Sequence, residues 1–244
     1  MQEVADRVYR LGARLVNWFI IEDGGSVTLI DAGNPNQYAQ LPRALSELGL
    51  SVEDVDAIVL THAHGDHLGS SRQIKDESGA SVHVHHDDVA LCTGEAAIVT
   101  ERHWARSLNH IQAWRTAWFF VSGGVFSVKP VVDLAEFGDG ETIEVPGRPV
   151  TIHTPGHTDG SACVRIPDRD VIFTGDSLVT MHLGTGERGA RVMPRAFNKN
   201  STQALESLDH MHGLDVSTVL PGHGEPWKGG LASAIVEAQK VGPS

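Results

Sequence analysis

The chain has 244 residues, a hydrophobic fraction of 41% and a formal net charge of −12 at pH 7. That length and apolar content suffice to bury the core of one large domain. The acidic excess argues against nucleic acid, whose binding rests on Lys and Arg neutralising phosphates, and no apolar run approaches the roughly 20 residues of a membrane span.

The N-terminal stretch Met1 to Arg7 shows no basic segment followed by an apolar one, so no secretory signal is expected. Cys92 and Cys163 are the only cysteines and read as free buried thiols. Together these features point to the cytoplasm. Leu15 to Ile21 and Ser26 to Ile30 are two apolar strands around Glu22-Asp23-Gly24-Gly25, a hairpin turn. Gln37 to Leu48 carries apolar residues at helical spacing and stops at Gly49. The strand Ala57 to Leu60 follows, then a helix from about Asp66 to Ser78 closed by Gly79, and the strand Val82 to His85. Short strands fill 127–176. Asn200-Ser201-Thr202-Gln203 opens a helix expected to reach Met211, and a last strand before His223 and a short helix finish the chain. Strands and helices in this order predict sheets at the centre with helices outside.

The segment Thr61-His62-Ala63-His64-Gly65-Asp66-His67 stands out directly after the strand at 57–60. Imidazole and carboxylate suit zinc and other first-row divalent ions. In an extended segment His62, His64 and Asp66 share a face, while His67 must point elsewhere, which calls for a second ion beside the first. Three further donors each end an apolar strand and lie beside a glycine: His157 after Pro155-Gly156, Asp176 after Thr174-Gly175, and His223 after Pro221-Gly222. Five His and two Asp are enough for two ions with three terminal ligands each, one bridging carboxylate, and positions left for water or substrate.

These residues resemble the metallo-β-lactamase-fold superfamily of metal-dependent hydrolases over about Val16 to Trp227. The resemblance implies an αββα sandwich, α+β, of two mixed sheets flanked by helices, forming one domain over 1–244. It implies that His62, His64 and His157 hold one metal, that Asp66, His67 and His223 hold the second, and that Asp176 bridges them. It also implies that Asp31, in Val27 to Gly33, supports the site from behind the ligands. The expected cofactors are two divalent ions, zinc first, with iron or manganese as alternatives.

Two such ions lower the pKa of a water between them, giving hydroxide at neutral pH. Asp66 is the expected catalytic proton carrier. Departures from the family's branches narrow the substrate. The chain ends soon after His223, without the glutathione-binding domain of hydroxyacylglutathione hydrolases. Asp176 stands where zinc β-lactamases lack a bridging carboxylate, and Val179 stands where acyl-homoserine lactonases carry Tyr. What remains is a hydrolase acting on an ester, thioester or lactone of a small, partly apolar molecule. A mononuclear-iron persulfide dioxygenase is the alternative from another reaction class; β-lactam hydrolysis and non-catalytic metal binding come after it.

The stretch 100–126 is a helical aromatic insertion. Trp104, Leu108, Ile111, Trp114 and Trp118 share one arc of a helical wheel. Three readings stay open: an arm covering the metals, with Trp104, Trp114 and Trp118 against the substrate; a core stripe; or the contact of a homo-oligomer. His182, in the Gly-rich loop after Asp176, joins the substrate-binding candidates. His83, His85 and His86 read as packed or solvated, His153 as orienting its loop, and His103, His110, His210 and His212 as surface. Arg188, Arg191, Arg195 and Lys199 read as a locally balanced surface.

Overall fold

The computed structural model describes residues 1–102 and 110–244. Its first sheet opens with β1 (Gln2–Ala5), β2 (Val8–Ala13), β3 (Val16–Asp23) and β4 (Ser26–Ile30), all antiparallel neighbours. The expected turn joins β3 to β4 with Asp23 paired to Ser26, and Gly24 and Gly25 take φ of 65° and 93°. Positive φ at both central residues is what a two-residue hairpin with the right twist requires. β1 and β2 were not anticipated; their apolar positions are too sparse to read as strands, and they are held by pairing to β3.

After helix α1 (Gln40–Glu47), β5 (Val55–Val59) joins β4 in parallel. The helix expected over 66–78 is instead two, α2 (Gly65–Leu68) and α3 (Ser71–Ser78). The break lies where the chain passes the backbone at 33–34: a Cβ on Gly69 would stand 2.2 Å from the Gly33 carbonyl oxygen. β6 (Ser81–His85) and β7 (Leu134–Phe137) complete a seven-stranded sheet of order β1 to β7, with the one-turn helix α4 (Val89–Cys92) and α5 (Ile111–Gly123) between them.

The second sheet has β8 (Val150–His153), β9 (Ala162–Ile166), β10 (Val171–Gly175) and, after the small hairpin β11 (Val179–Met181) and β12 (Arg188–Arg191), β13 (Thr218–Pro221). Its order is β13-β10-β9-β8, with β10 and β13 parallel and the other pairs antiparallel. Asn200 caps α6 (Ser201–Glu206) by accepting from the Gln203 amide, and the chain then tightens into a 3-10 turn over Ser207–Met211 rather than one helix. α7 (Leu231–Val241) is last.

Alternation along the strands builds three apolar layers. On β3, Phe19 and Ile21 face between the sheets, where Phe19 meets Phe173 of β10 at 5.0 Å between centroids. Trp18 and Ile20 face the other way, onto Leu41 and Leu45 of α1 and Ile74 of α3. Ile172 of β10 and Val219 of β13 pack outward on Leu231 and Ile235 of α7. Helix, sheet, sheet, helix is the αββα sandwich expected from the sequence. Cys92 and Cys163 are buried free thiols. No helix among the described residues is long and apolar enough to cross a membrane.

Candidate metal centre

The seven nominated side chains meet at one end of the two sheets. β5 delivers the loop carrying His62 and His64, α2 carries Asp66 and His67, and the turns after β8, β10 and β13 carry His157, Asp176 and His223. They form two trios, His62-His64-His157 and Asp66-His67-His223, each with donor atoms within 4.8 Å of one another. Asp176 stands between them. Its Oδ2 is 3.3 Å from His157 Nε2 and 3.0 Å from His223 Nε2, and its Oδ1 is 3.4 Å from His67 Nε2.

Close backbone approach explains the glycines. A Cβ on Gly222 would lie 2.5 Å from Asp176 Oδ1 and 2.7 Å from His67 Cε1. Gly175 takes φ of 46° with Thr61 pressed against it, so the chain can turn and present Asp176.

Hydrogen bonds behind the ligands orient four of the five rings. Asp31 accepts from the Thr61 amide at 2.8 Å and from the Thr61 hydroxyl, and its Oδ2 lies 2.7 Å from His67 Nδ1. It does so from a backbone φ of 60°, a region few side chains other than Asn and Asp adopt. With the Thr61 proton directed to Asp31, the Thr61 oxygen accepts from His62 Nδ1 at 3.1 Å. His223 Nδ1 donates to the Leu15 carbonyl oxygen, which can only accept. Asn198 is wholly buried; its Nδ2 donates to the Met193 carbonyl at 2.7 Å, which leaves Oδ1 to accept from His157 Nδ1 at 3.0 Å.

Four imidazoles therefore turn Nε2 inward, and burial keeps those of His62 and His157 as bare lone pairs. His62 Nε2 and His157 Nε2 lie 3.2 Å apart, and neither has a proton to share. His67 Nε2 and Asp176 Oδ1 are buried without a hydrogen-bond partner. Lone pairs and carboxylates crowded together in a dry pocket are costly unless a cation sits among them. The separations of 3.3–3.6 Å between His157, His67, Asp66 and Asp176 suit ligands sharing an ion, whose tetrahedral edge at zinc–nitrogen bond lengths is about 3.4 Å. The residues present fit divalent metal.

Electrostatics agree. Burial pulls the His67 imidazolium down, but Asp31, Asp176 and Asp66 outweigh it and hold its pKa well above the ordinary value. Burial would also keep Asp176 protonated, yet the surrounding His223, His67 and His157 hold it well below the usual carboxylate range. Burial, helped by neighbouring rings, pushes His157 down to about 3 and His62 well below normal. The pocket demands positive charge at its centre and keeps its outer rings neutral.

Sequence reading missed several supports. Asn198 has no periodic or motif signal. Asp88, also wholly buried, accepts from the Ala63 and Gly160 amides at 2.9 and 2.8 Å and from Thr158, tying together the two loops that carry His62, His64 and His157. Of the substrate candidates, Trp104 lies outside the described residues. Trp114 and Trp118 are 57% and 73% exposed, so the core-stripe reading fails for the described part of the arc: α5 buries Ala113, Thr116 and Gly123 instead. The α5 ring that meets the site is Phe120, 6.3 Å edge-on to His223 and packed beside Val179, Met181, Leu183 and Met193. His182 uses its Nδ1 to accept from the Gly184 and Thr185 amides, which makes it the organiser of its own loop. Arg195 and Lys199 are paired to Glu101 and Asp159 as a balanced surface, whereas Arg191, expected there too, is buried and paired to Glu187.

A sequence model of the metallo-beta-lactamase superfamily matches residues 11–223. An uncharacterized protein of Mycobacterium leprae (strain TN) is 30% identical over 221 residues, covering 85% of this chain and 86% of its own length. The probable metallo-hydrolase YflN of Bacillus subtilis (strain 168) is 26% identical, covering 93% and 87%. Acyl-coenzyme A thioesterase MBLAC2 of Bos taurus is 28% identical, covering 90% and 76%. Among solved structures, the metallo-beta-lactamase family protein TTHA1429 of Thermus thermophilus superposes with a TM-score of 0.66 at 26% identity, covering 96% of this chain and 78% of that one.

Proposed function

Because the chain belongs to the metallo-β-lactamase superfamily, we propose that it is a hydrolase working with two divalent ions, zinc by preference, on a thioester, ester or lactone of a partly apolar small molecule. The observation that carries this reading is the convergence of four imidazole Nε2 atoms on Asp176, with those of His62 and His157 facing each other at 3.2 Å and no proton to share. His62, His64 and His157 would hold one ion, Asp66, His67 and His223 the other, and Asp176 both. The bound pair supplies Lewis-acid polarisation of the scissile carbonyl and acidifies water to within reach of neutral pH.

The chain's own residues supply the rest. Asp31, Thr61, Asn198 and the Leu15 carbonyl hold the rings in the one tautomer that presents Nε2. Asp66 lies at the edge of the cluster, its Oδ2 3.6 Å from His67 Nε2 and 3.5 Å from His223 Nε2. A carboxylate there can take the nucleophile's proton on a free oxygen and return it to the leaving group. Phe120, backed by Val179, Met181 and Leu183, sets an apolar ring beside His223 that excludes water and suits an acyl group. The thioesterase activity named for the bovine relative favours a thioester within the proposed class.

Elemental analysis of the purified protein tests the metal set, and a panel of acyl thioesters, aryl esters and lactones tests the chemistry. Two ions per chain with hydrolysis rising as the acyl portion becomes more apolar is the expected result. One iron per chain, with oxygen consumed on a persulfide and no hydrolysis on the panel, overturns the reading.

A further inference from the structure

A second group of donors lies outside the centre, on the far side of Asp88. His85 ends β6 of the seven-stranded sheet, His153 ends β8 of the four-stranded sheet, and Asp87 sits in the 3-10 turn His86–Asp88 that follows β6. One donor atom from each of His85, Asp87 and His153 lies within 4.8 Å of the others. The His85 ring is buried, 2% exposed, between His153, stacked at 4.0 Å and 12°, and His86 at 4.2 Å and 32°.

The hydrogen bonding repeats the logic of the main centre. His153 Nε2 faces the Asp159 carbonyl oxygen at 2.8 Å and must donate to it, so Nδ1 keeps a lone pair. His85 Nδ1 accepts from the Asp87 amide at a long 3.3 Å, so it too is unprotonated. Asp87 Oδ2 stands 3.7 Å from His85 Nδ1, and its Oδ1 3.6 Å from His86 Nε2. These separations are too long for hydrogen bonds and close to the edge of about 3.4 Å between ligands on one zinc-sized ion. Burial, with His153 and His86 alongside, pushes the His85 pKa down to about 4, so the ring is neutral at pH 7.

We propose that His85, Asp87 and His153 form a separate binding site for one borderline divalent cation, zinc or nickel, clasping β6 to β8 across the two sheets. The stacked rings point their lone pairs nearly parallel, so capture turns the partly exposed His153 ring towards Asp87. The site lies one residue from Asp88, whose carboxylate anchors Ala63 and Gly160 beside the main ligands. An ion there stiffens the same loops from outside without touching the reacting atoms.

The test compares the metal-loaded protein with its Asp87→Asn and His153→Gln variants, each dialysed against the same free zinc and then analysed for zinc per chain and melting temperature. Asp87 is a surface residue, its side chain 45% exposed, so its amide variant tests the site without disturbing the core. The expected result is one zinc fewer per chain in both variants, a smaller rise of melting temperature with added zinc, and unchanged turnover. Because the readout is a difference from wild type, it holds whatever number of ions the main centre carries. A zinc content equal to wild type in either variant overturns the assignment.

Discussion

Asn198→Ala tests whether the polar frame behind the centre sets its metal affinity. The side chain is 0% exposed and makes three bonds: Oδ1 to His157 Nδ1 at 3.0 Å, Nδ2 to the Met193 carbonyl at 2.7 Å and Nδ2 to Ser201 Oγ at 3.2 Å. Truncation removes the acceptor that holds His157 in its Nε2-presenting tautomer. Loss of such an outer partner typically costs 10–100-fold in metal affinity, or about 1.4–2.8 kcal/mol. It also takes the donor from the buried Met193 carbonyl, a stability cost of about 1–3 kcal/mol. Two variants separate these effects. Asn198→Asp keeps an acceptor for His157 but has no donor for Met193, so it should lose stability and retain most of the affinity. Ser201→Ala gives up the longest of the three bonds, together with the Ser201 contact to Glu101, leaves His157 and Met193 their partners, and should keep the affinity. Competition with a chromophoric chelator at neutral pH measures affinity, and denaturant unfolding of the metal-free chain measures stability. An Asn198→Ala protein that is destabilised yet binds zinc as tightly as wild type would refute the reasoning, because His157 would then be oriented by something else.

Asp66→Asn should keep at least the ion of the His62-His64-His157 trio while turnover falls roughly 10²–10⁴-fold with an altered pH profile; an unchanged rate and profile would remove Asp66 from proton transfer. Gly222→Ala drives a methyl to 2.5 Å from Asp176 Oδ1, so metal content should drop and stability fall by about 1–3 kcal/mol, read by elemental analysis and urea titration. Phe120→Ala should raise KM for apolar acyl substrates roughly fivefold, about 1 kcal/mol, with little change in kcat. Trp118→Ala, at a position 73% exposed, should leave stability within ~0.5 kcal/mol, so a large loss of melting temperature there would restore the core reading. Burial would raise the Glu22 carboxyl, but Arg7 and the Gly25 amide hold it below its ordinary 4.5. Its stabilisation is therefore present above that value and lost as pH falls through the lower folded one. Glu22→Gln should flatten that part of the acid limb of a stability–pH curve, and an unchanged limb would show the pair contributes nothing.

What could be read from the sequence is what depends on local pattern. The apolar runs of β5, β10 and β13 end in turn residues, and ligands stand at those ends, so strands and donors appear together in one dimension. The sandwich and the donor set were legible for that reason. Asn198, Leu15 and Asp88 were not, because their roles arise only when distant segments close on one another; an isolated Asn in a loop looks like any other. β1 and β2 were hidden because their pairing is decided by β3. The split of the helix expected at 66–78 was not legible because the interruption at Gly69 is imposed by a backbone some 35 residues earlier. The aromatic arc from Trp104 to Trp118 carries no label for what it faces, and along α5 the face turned inward is a different one, which includes Phe120.

The donors enter the chain between residues 62 and 223, and no short segment contains enough of them to complete the cluster. The hairpins of the first sheet can form from near neighbours, whereas the ring of His223 reaches Asp176 only after β13 has paired with β10 and both sheets have docked. Contacts of such long sequence separation are slow to establish. Assembly of the donor set is accordingly a late event in the life of each molecule, and tight metal binding would report that the polypeptide has finished folding. A truncated or stalled chain would carry the His62 segment exposed, able to scavenge a metal weakly but unable to retain it.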